Sequence, residues 1–441
     1  MGWSLFLILS LFQSLLLQNH VSFAQMMMAQ EEDLDEEELS ANLFAPPDEI
    51  QVFAPSQFPK PTHLIQDGPP GVTVVVEPVF GHHRPDQDAI FAYAEGYGLE
   101  YYMMFVETLA DTGFKGDYVL AISEPAMIKP NVMEYLQYQN RVHVVIYNNE
   151  LSCLDTNGNP GAKRRNMPHG GLDIFQMCQL ADVYGWKDAH NGGVRIAPDP
   201  RAHRVVATLR YEWYWIWAQQ YQPNVWILLI DARDSFFQSD PFAHVPPRQS
   251  PSSKDGLLYF FGENHEATRL GKSTKNRNWL RNAYGEAVIN ALKDKPTICS
   301  GSTMGEQIAL ETYLRALVNE WDETDIGMTG ADQGFHNYLY YSRKLQGAET
   351  IREIIVWEQG KGIVNNLGAL RTKKLTEWGI YNPQTHEIFN WDLKTLSPVA
   401  HQWDRDEAVH TWLYRNQMQE WVREWKSGAY QKRQEQRVKA R

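Results

Sequence analysis

The stretch Val225-Trp-Ile-Leu-Leu-Ile-Asp231-Ala-Arg-Asp234-Ser-Phe-Phe-Gln-Ser-Asp240-Pro-Phe242 decides how the chain is read. An apolar run of strand length ends abruptly in two carboxylates. Such a run fits a strand buried on both faces of a mostly parallel sheet. In open α/β sheets, ligands bind in the crevice beyond the carboxyl ends of the strands. Asp231 and Asp234 fall there, and carboxylates at such a place suit a hard divalent cation holding a ligand's phosphates. The structural alternative is that Asp231 ends the strand while Asp234 caps or pairs within the next turn.

Upstream, the chain alternates strand and helix patterns. Gly71 to Val79 contains the β-branched run Val72-Thr-Val-Val-Val76, read as a first strand. Leu99 to Thr112 has helical periodicity, and Asp117 to Ser123 is a second strand. Asn131 to Gln139 is again helical, and Arg141 to Tyr147 is a third strand. This alternation predicts a Rossmann-like parallel sheet with right-handed crossovers. Residues 149 to 200 are rich in Asn, Gly and Pro and are expected to form a long excursion. Arg204 to Tyr221 is an aromatic helix. Its Trp213, Trp215 and Trp217 are spaced by two, which one helix face cannot hold, so burial on several sides is expected.

Downstream, Gly256 to Phe261 is a strand. Pro296-Thr-Ile-Cys-Ser-Gly-Ser-Thr303 is read as a short strand opening into a Gly/Ser loop, where backbone N–H groups would approach a ligand closely. Helices follow from about Glu306 and from Asp332. Short strands are expected at Glu353 to Trp357, Ile363 to Asn365, Glu387 to Asn390 and Pro398 to Gln402. Residues 406–441 read as a helical tail.

The 441 residues are 43% hydrophobic and 22% charged, a globular composition. The 15 Trp and 21 Tyr suit a large core, and also a carbohydrate-facing cleft. The net charge of −13 comes mostly from nine acids between Glu31 and Glu49. The remainder is near neutral, and nothing points to a nucleic-acid partner.

Residues 1–24 read as a signal peptide, with Trp3 to Leu17 nearly all apolar and small residues placed for cleavage after Ala24. An uncleaved membrane anchor through residues 3–17 is the alternative, although that run is short for a span of about 20 residues. Residues 25–70, acidic and then Pro-rich, read as an extended stalk. Of three cysteines, a Cys153–Cys178 bridge with Cys299 free is the simplest oxidised arrangement, though any of the three can be the odd one. No Asn-x-Ser/Thr sequon occurs.

Several pieces recur together: Arg210-Tyr211, the Asp231 to Phe242 block, Ser300-Gly-Ser302, Asp332-Gln-Gly-Phe-His-Asn337, and His401-Gln-Trp-Asp404-Arg405. Their order resembles glycosyltransferases of the GT-A fold, in particular nucleotide-diphospho-sugar transferase-like proteins, over roughly residues 72 to 405. The resemblance implies a mixed, mostly parallel α/β sheet flanked by helices, with a catalytic domain over 71–405. It implies transfer of a sugar from a nucleotide-diphosphate donor to a glycan or glycoprotein acceptor in the Golgi or endoplasmic reticulum lumen, or after secretion. A divalent cation, Mn²⁺ or Mg²⁺, would be held by Asp231, Asp234 and His401. Arg210, Asp231, Arg233, Gly301 and Ser302 would bind the donor. Asp332 would lie near the acceptor as a general base or a ligand of a sugar hydroxyl. The usual third motif position is Arg233 here, so Arg233 contacting phosphate directly is an alternative to metal binding. Two other functions stay open: a secreted glycoside hydrolase pairing Asp332 with Asp231 or Asp234, and a non-catalytic binder of nucleotide or sugar.

Overall fold

A computed structural model describes residues 43–47, 73–167, 171–187, 193–324, 331–371 and 373–439. The expected signal or anchor, 1–24, and most of the expected stalk, 25–70, lie outside the described residues. No described helix is long and apolar enough to cross a membrane. The chain divides into Met1–Ala45 and Pro46–Arg441, and the second unit carries the fold.

Its centre is one seven-stranded sheet. The strands are β1 (Ala89–Tyr93), β2 (Asp117–Ser123), β3 (His143–Asn149), β4 (Trp226–Ile230), β6 (Gly256–Gly262), β7 (Ile298–Glu306) and β8 (Ile351–Trp357), in the order β8-β6-β7-β4-β1-β2-β3. Between β4 and β6 lies a short strand, β5 (Ser235–Phe237), which belongs to another sheet. The ladders β4–β1, β1–β2, β2–β3 and β6–β8 are parallel. β7 runs antiparallel to both neighbours. All five residues of β4 and all seven of β2 are buried. Helices on both faces explain why: α1 (Leu99–Asp111) and α2 (Val132–Tyr138) follow β1 and β2, while α3 (Val206–Ala218) precedes β4.

The first strand is not the one expected. Thr73–Val74 pairs antiparallel with Tyr184–Gly185 in a small side sheet. Its residues are exposed or half-buried, so the β-branched run reflects strand propensity without core burial. The central sheet begins instead at Ala89-Ile-Phe-Ala-Tyr93, where small and large apolar residues fill a place covered on both faces. The excursion over 149–200 holds short strands and the Cys153–Cys178 disulfide, with Cys299 free and buried.

The aromatic helix α3 is buried on several sides. Trp213 and Trp217 lie one turn apart with ring centroids at 5.7 Å, facing Tyr147. Trp215 points elsewhere, and its Nε1 donates to Glu311 at 3.0 Å. The tail helices over 407–439 pack back on α1 and α2. Tyr430 donates to buried Glu107 at 2.6 Å, and Trp425 meets Tyr135 edge-on at 5.3 Å.

Trp213 is fully buried, and its Nε1 donates to Asn149 at 2.8 Å. Trp213→Ala is expected to cost about 3–5 kcal/mol, read as a lower denaturant midpoint. A change under about 1 kcal/mol would mean that α3 is not seated on the sheet as described.

Candidate active site

The site is assembled by a second, three-stranded sheet at one end of the first. Its strands are β5, β9 (Val364–Asn366) and β10 (Val399–His401), with β10 in the middle. β5 runs antiparallel to β10 and sets Ser235 opposite His401. β9 runs parallel to it and sets Asn366 opposite His401. Asp234 immediately precedes β5, and its carbonyl accepts from the Gln402 N–H at 2.7 Å. Three segments distant in sequence are thereby held in register.

Asp231 is the first residue past β4, and its N–H donates to Gly301 O at 3.0 Å. Ser300-Gly-Ser302 is not a loop: it lies in the interior of β7, with Ser302 opposite Ile230. A buried place across from β4 favours extended pairing over a turn. Gly301 matters for its missing side chain. A Cβ there would sit 2.7 Å from Asp231 Oδ2 and 2.8 Å from His401 Cε1. Ser302 is sealed from solvent, and its Oγ lies 3.3 Å from Asn366 Oδ1, so it backs Asn366.

Asn366 in turn orients His401. Its Nδ2 donates to Phe261 O and Gly262 O, both at 3.1 Å. The amide oxygen therefore faces His401 Nδ1 at 2.8 Å and accepts from it. This tautomer leaves Nε2 as the atom that meets the carboxylates. Nε2 is buried without a hydrogen-bond partner, 3.8 Å from Asp231 Oδ2 and 3.7 Å from Asp234 Oδ1. Among the described residues, Asp231, Asp234 and His401 form a group whose ligand atoms all lie within 4.8 Å of one another. An orphaned imidazole nitrogen facing two carboxylates across a bare glycine fits a divalent cation.

Electrostatics agree with that fit. Burial pulls the His401 pKa down, but Cys299, Asp231 and Asp234 push it well above the usual imidazole range. The carboxylates thus draw a proton or a cation to the same nitrogen. Burial works to raise Asp231, yet Arg210 and His401 hold it below the ordinary carboxylate range. Burial raises Asp234, and Asp231 adds to that, against His401 and Arg233.

Arg210, in the second turn of α3, joins the two halves of the site. It pairs with Asp231 through Nη1 and with Asp332 Oδ2 through Nη2 at 2.7 Å. Asp332 lies in the first turn of α4 (Ala331–Tyr341). The same Oδ2 also accepts from Ser300 Oγ at 3.0 Å and from Tyr211 OH at 3.3 Å. Arg233 stands at the rim with 41% of its side chain exposed. Its Nη2 lies 3.2 Å from Asp234 Oδ2 and 3.6 Å from Asp404 Oδ2, and Arg405 also pairs with Asp404. A half-exposed guanidinium beside the acids is able to reach a phosphate.

Sequence reading singled out neither Asn366 nor Tyr97 nor Glu263. Tyr97 follows β1; its phenol is raised by burial and by Asp231, against Arg233 and Arg210. Its loop is pinned by Glu95, which takes Arg164 Nε at 2.9 Å and Nη2 at 3.0 Å. The one signal for Asn366 is the pair Asn365-Asn366 directly after the apolar Ile363-Val364.

Gly301→Ala is expected to weaken Mn²⁺ binding by about 10- to 100-fold, as loss of well-placed surroundings does at metal sites. Titration calorimetry on a variant with native circular dichroism reads it, and an unaltered affinity would place the cation elsewhere.

No protein-family model and no curated protein matches the chain. Three solved structures to which it is similar are glycosyltransferases. The galactosyltransferase LgtC, in complex with donor and acceptor sugar analogs, is 10% identical with a TM-score of 0.35, over 74% of this chain and 93% of that one. An active-site mutant of LgtC gives 9% and 0.34, over 71% and 86%. The bifunctional glycosyltransferase WbbM gives 12% and 0.36, over 74% of this chain and 47% of that one, so the match spans about half of WbbM. At these scores the likeness decides neither donor nor chemistry.

Proposed function

We propose that the protein is a GT-A-type glycosyltransferase that moves a sugar from a nucleoside-diphosphate donor to a glycan or glycoprotein acceptor in the lumen of the secretory pathway. The observation that carries this reading is the meeting of Asp231, Asp234 and the unpartnered His401 Nε2 at the carboxyl end of β4. Those three residues would hold Mn²⁺ or Mg²⁺, which supplies charge neutralisation for a departing diphosphate. Arg233 adds a partly exposed guanidinium suited to a phosphate oxygen. Arg210 keeps Asp231 ionised and fixes Asp332 at the same time.

The lumenal location follows from the signal-like residues 1–24 and rests on sequence alone. The hydrolase reading is disfavoured by Arg210. For the pairing of Asp231 with Asp332, Arg210 binds both acids and holds Asp231 below the ordinary carboxylate range, so Asp231 is not the protonated acid a glycosidase needs.

Thermal melting of the purified protein against uridine, guanosine and adenosine diphosphate sugars, with and without Mn²⁺, tests the reading. One nucleotide at 100 times its Kd should stabilise by about 2.7 kcal/mol. The gain should need Mn²⁺ and vanish in Asp234→Ala. Silence across the whole panel would remove the transferase reading.

A further inference from the structure

We propose that Arg233 and Arg405 form a two-arginine clamp for the donor's diphosphate, and that Asp404 is its internal stand-in, holding both guanidiniums until the donor displaces it. The inference rests on the transferase reading and adds Arg405 and Asp404 to it. The run His401-Gln-Trp-Asp404-Arg405 brings these charges to the site. β10 ends at His401, and Gln402 takes a left-handed backbone with φ 61°. The Gln402 N–H donates to Asp234 O at 2.7 Å, and its Oε1 accepts from the Gly368 N–H at 3.0 Å. Trp403–Arg405 then makes a single 3-10 turn, anchored by the buried Trp403. Asp406 caps the helix that follows, accepting from the N–H groups of Ala408 and Val409 at 3.0 Å each. The turn is fixed at both ends, and it sets Asp404 and Arg405 on the Asp234 side of the site.

Asp234 divides its oxygens between two places. Oδ1 faces His401 Nε2 at 3.7 Å, in the gap that fits a cation. Oδ2 faces the arginines, with Arg233 Nη2 at 3.2 Å and Arg405 Nη2 at 3.9 Å. The two guanidiniums therefore meet one carboxylate's width from the cation gap. Asp404 Oδ2 stands between them, 3.6 Å from Arg233 Nη2 and paired with Arg405 Nη1. Its fit is incomplete. One oxygen of Asp404 serves both guanidiniums, while Oδ1 is buried without a hydrogen-bond partner among the described residues. A buried acceptor without a partner costs free energy, and it regains water when the side chain swings outward. The side chains of Arg233, Arg405 and Asp404 are 41%, 32% and 22% exposed. Ion pairs this open to water contribute little to stability, so stability alone does not account for the cluster.

A diphosphate matches the pair better than a carboxylate does. It offers oxygens on two phosphorus atoms, so each guanidinium takes its own bidentate partner. The exchange involves no covalent step: Asp404 turns toward solvent and the diphosphate takes its place. Asp404 thereby opposes donor binding, and removing its charge lifts that opposition. Arg210 stays with Asp231 and Asp332 and takes no part.

Inorganic pyrophosphate is the probe, since it carries the diphosphate without base or sugar. Its binding in the presence of Mg²⁺ is read by titration calorimetry, beside a panel of nucleoside-diphosphate sugars. Arg405→Gln is expected to weaken both about 10-fold or more, as loss of a charge-assisted hydrogen bond does. Arg405→Lys should fall between, keeping the charge without the planar fork. Asp404→Asn, nearly the same shape, is expected to tighten both by up to about 5-fold, a gain that fades at high salt. A merely structural network gives the opposite sign, because a loosened turn would weaken binding. Weaker or unaltered binding in Asp404→Asn, or unaltered binding in Arg405→Gln, would overturn the clamp and leave the transferase standing if nucleotide sugars bind. Pyrophosphate that responds as expected while no nucleotide sugar binds would keep the clamp and end the transferase reading. No binding of either probe to the unmutated protein would sink both.

Discussion

Clustered carboxylates repel one another, and the arrangement around Asp231, Asp234 and Asp332 answers that repulsion. Two like charges 4 Å apart cost about 4 kcal/mol at an effective dielectric near 20. Arg210 offsets this by reaching Asp231 and Asp332 together from α3. Arg233 does the same for Asp234 from the rim. What they leave unanswered is the gap between Asp231, Asp234 and His401 Nε2, a place that calls for one more positive charge. The aromatic helix is part of this answer. Trp213, Trp217 and Tyr147 seat α3 on the sheet firmly enough for Arg210 to hold its position.

The second constraint is the register of the small sheet. His401 has Ser235 on one side and Asn366 on the other, so a slip of one residue in either ladder would turn His401 to the opposite face. Asn366 binds two β6 carbonyls and His401 at once, which links the small sheet to the large one through a single side chain. Gly301 completes the geometry because anything larger would push Asp231 and His401 away. Glu263 belongs to the same unit. It follows the β6 carbonyls that Asn366 binds, and its Oε1 faces Gln333 on the helix that carries Asp332.

Much of the architecture is legible in the sequence. The buried run of β4, the helix–strand alternation from Leu99 to Asn149 and the late short strands follow from hydrophobic pattern. The failures have physical causes. Val72–Val76 has strand propensity, but only burial on both faces makes a central strand, and Ala89–Tyr93 has that burial with fewer β-branched residues. Ser300–Ser302 looks like a turn by composition, yet pairing with β4 holds it extended.

The sequence by itself determined the acids after a buried strand, the arginine and tyrosine on an aromatic helix, and a late histidine. Those signals are local, since each depends on the residues beside it and on strand or helix period. Only the tertiary structure decided that Arg210 bridges Asp231 and Asp332, that Asn366 orients His401, and that Ser302 faces inward. It also decided that Glu263, with no local pattern to mark it, faces Gln333 on the helix that carries Asp332. The reason is that charge balance and hydrogen-bond saturation are properties of neighbours in space. Residues some 35 to 120 positions apart set them here, as Asn366 does for His401 and Arg210 for Asp332.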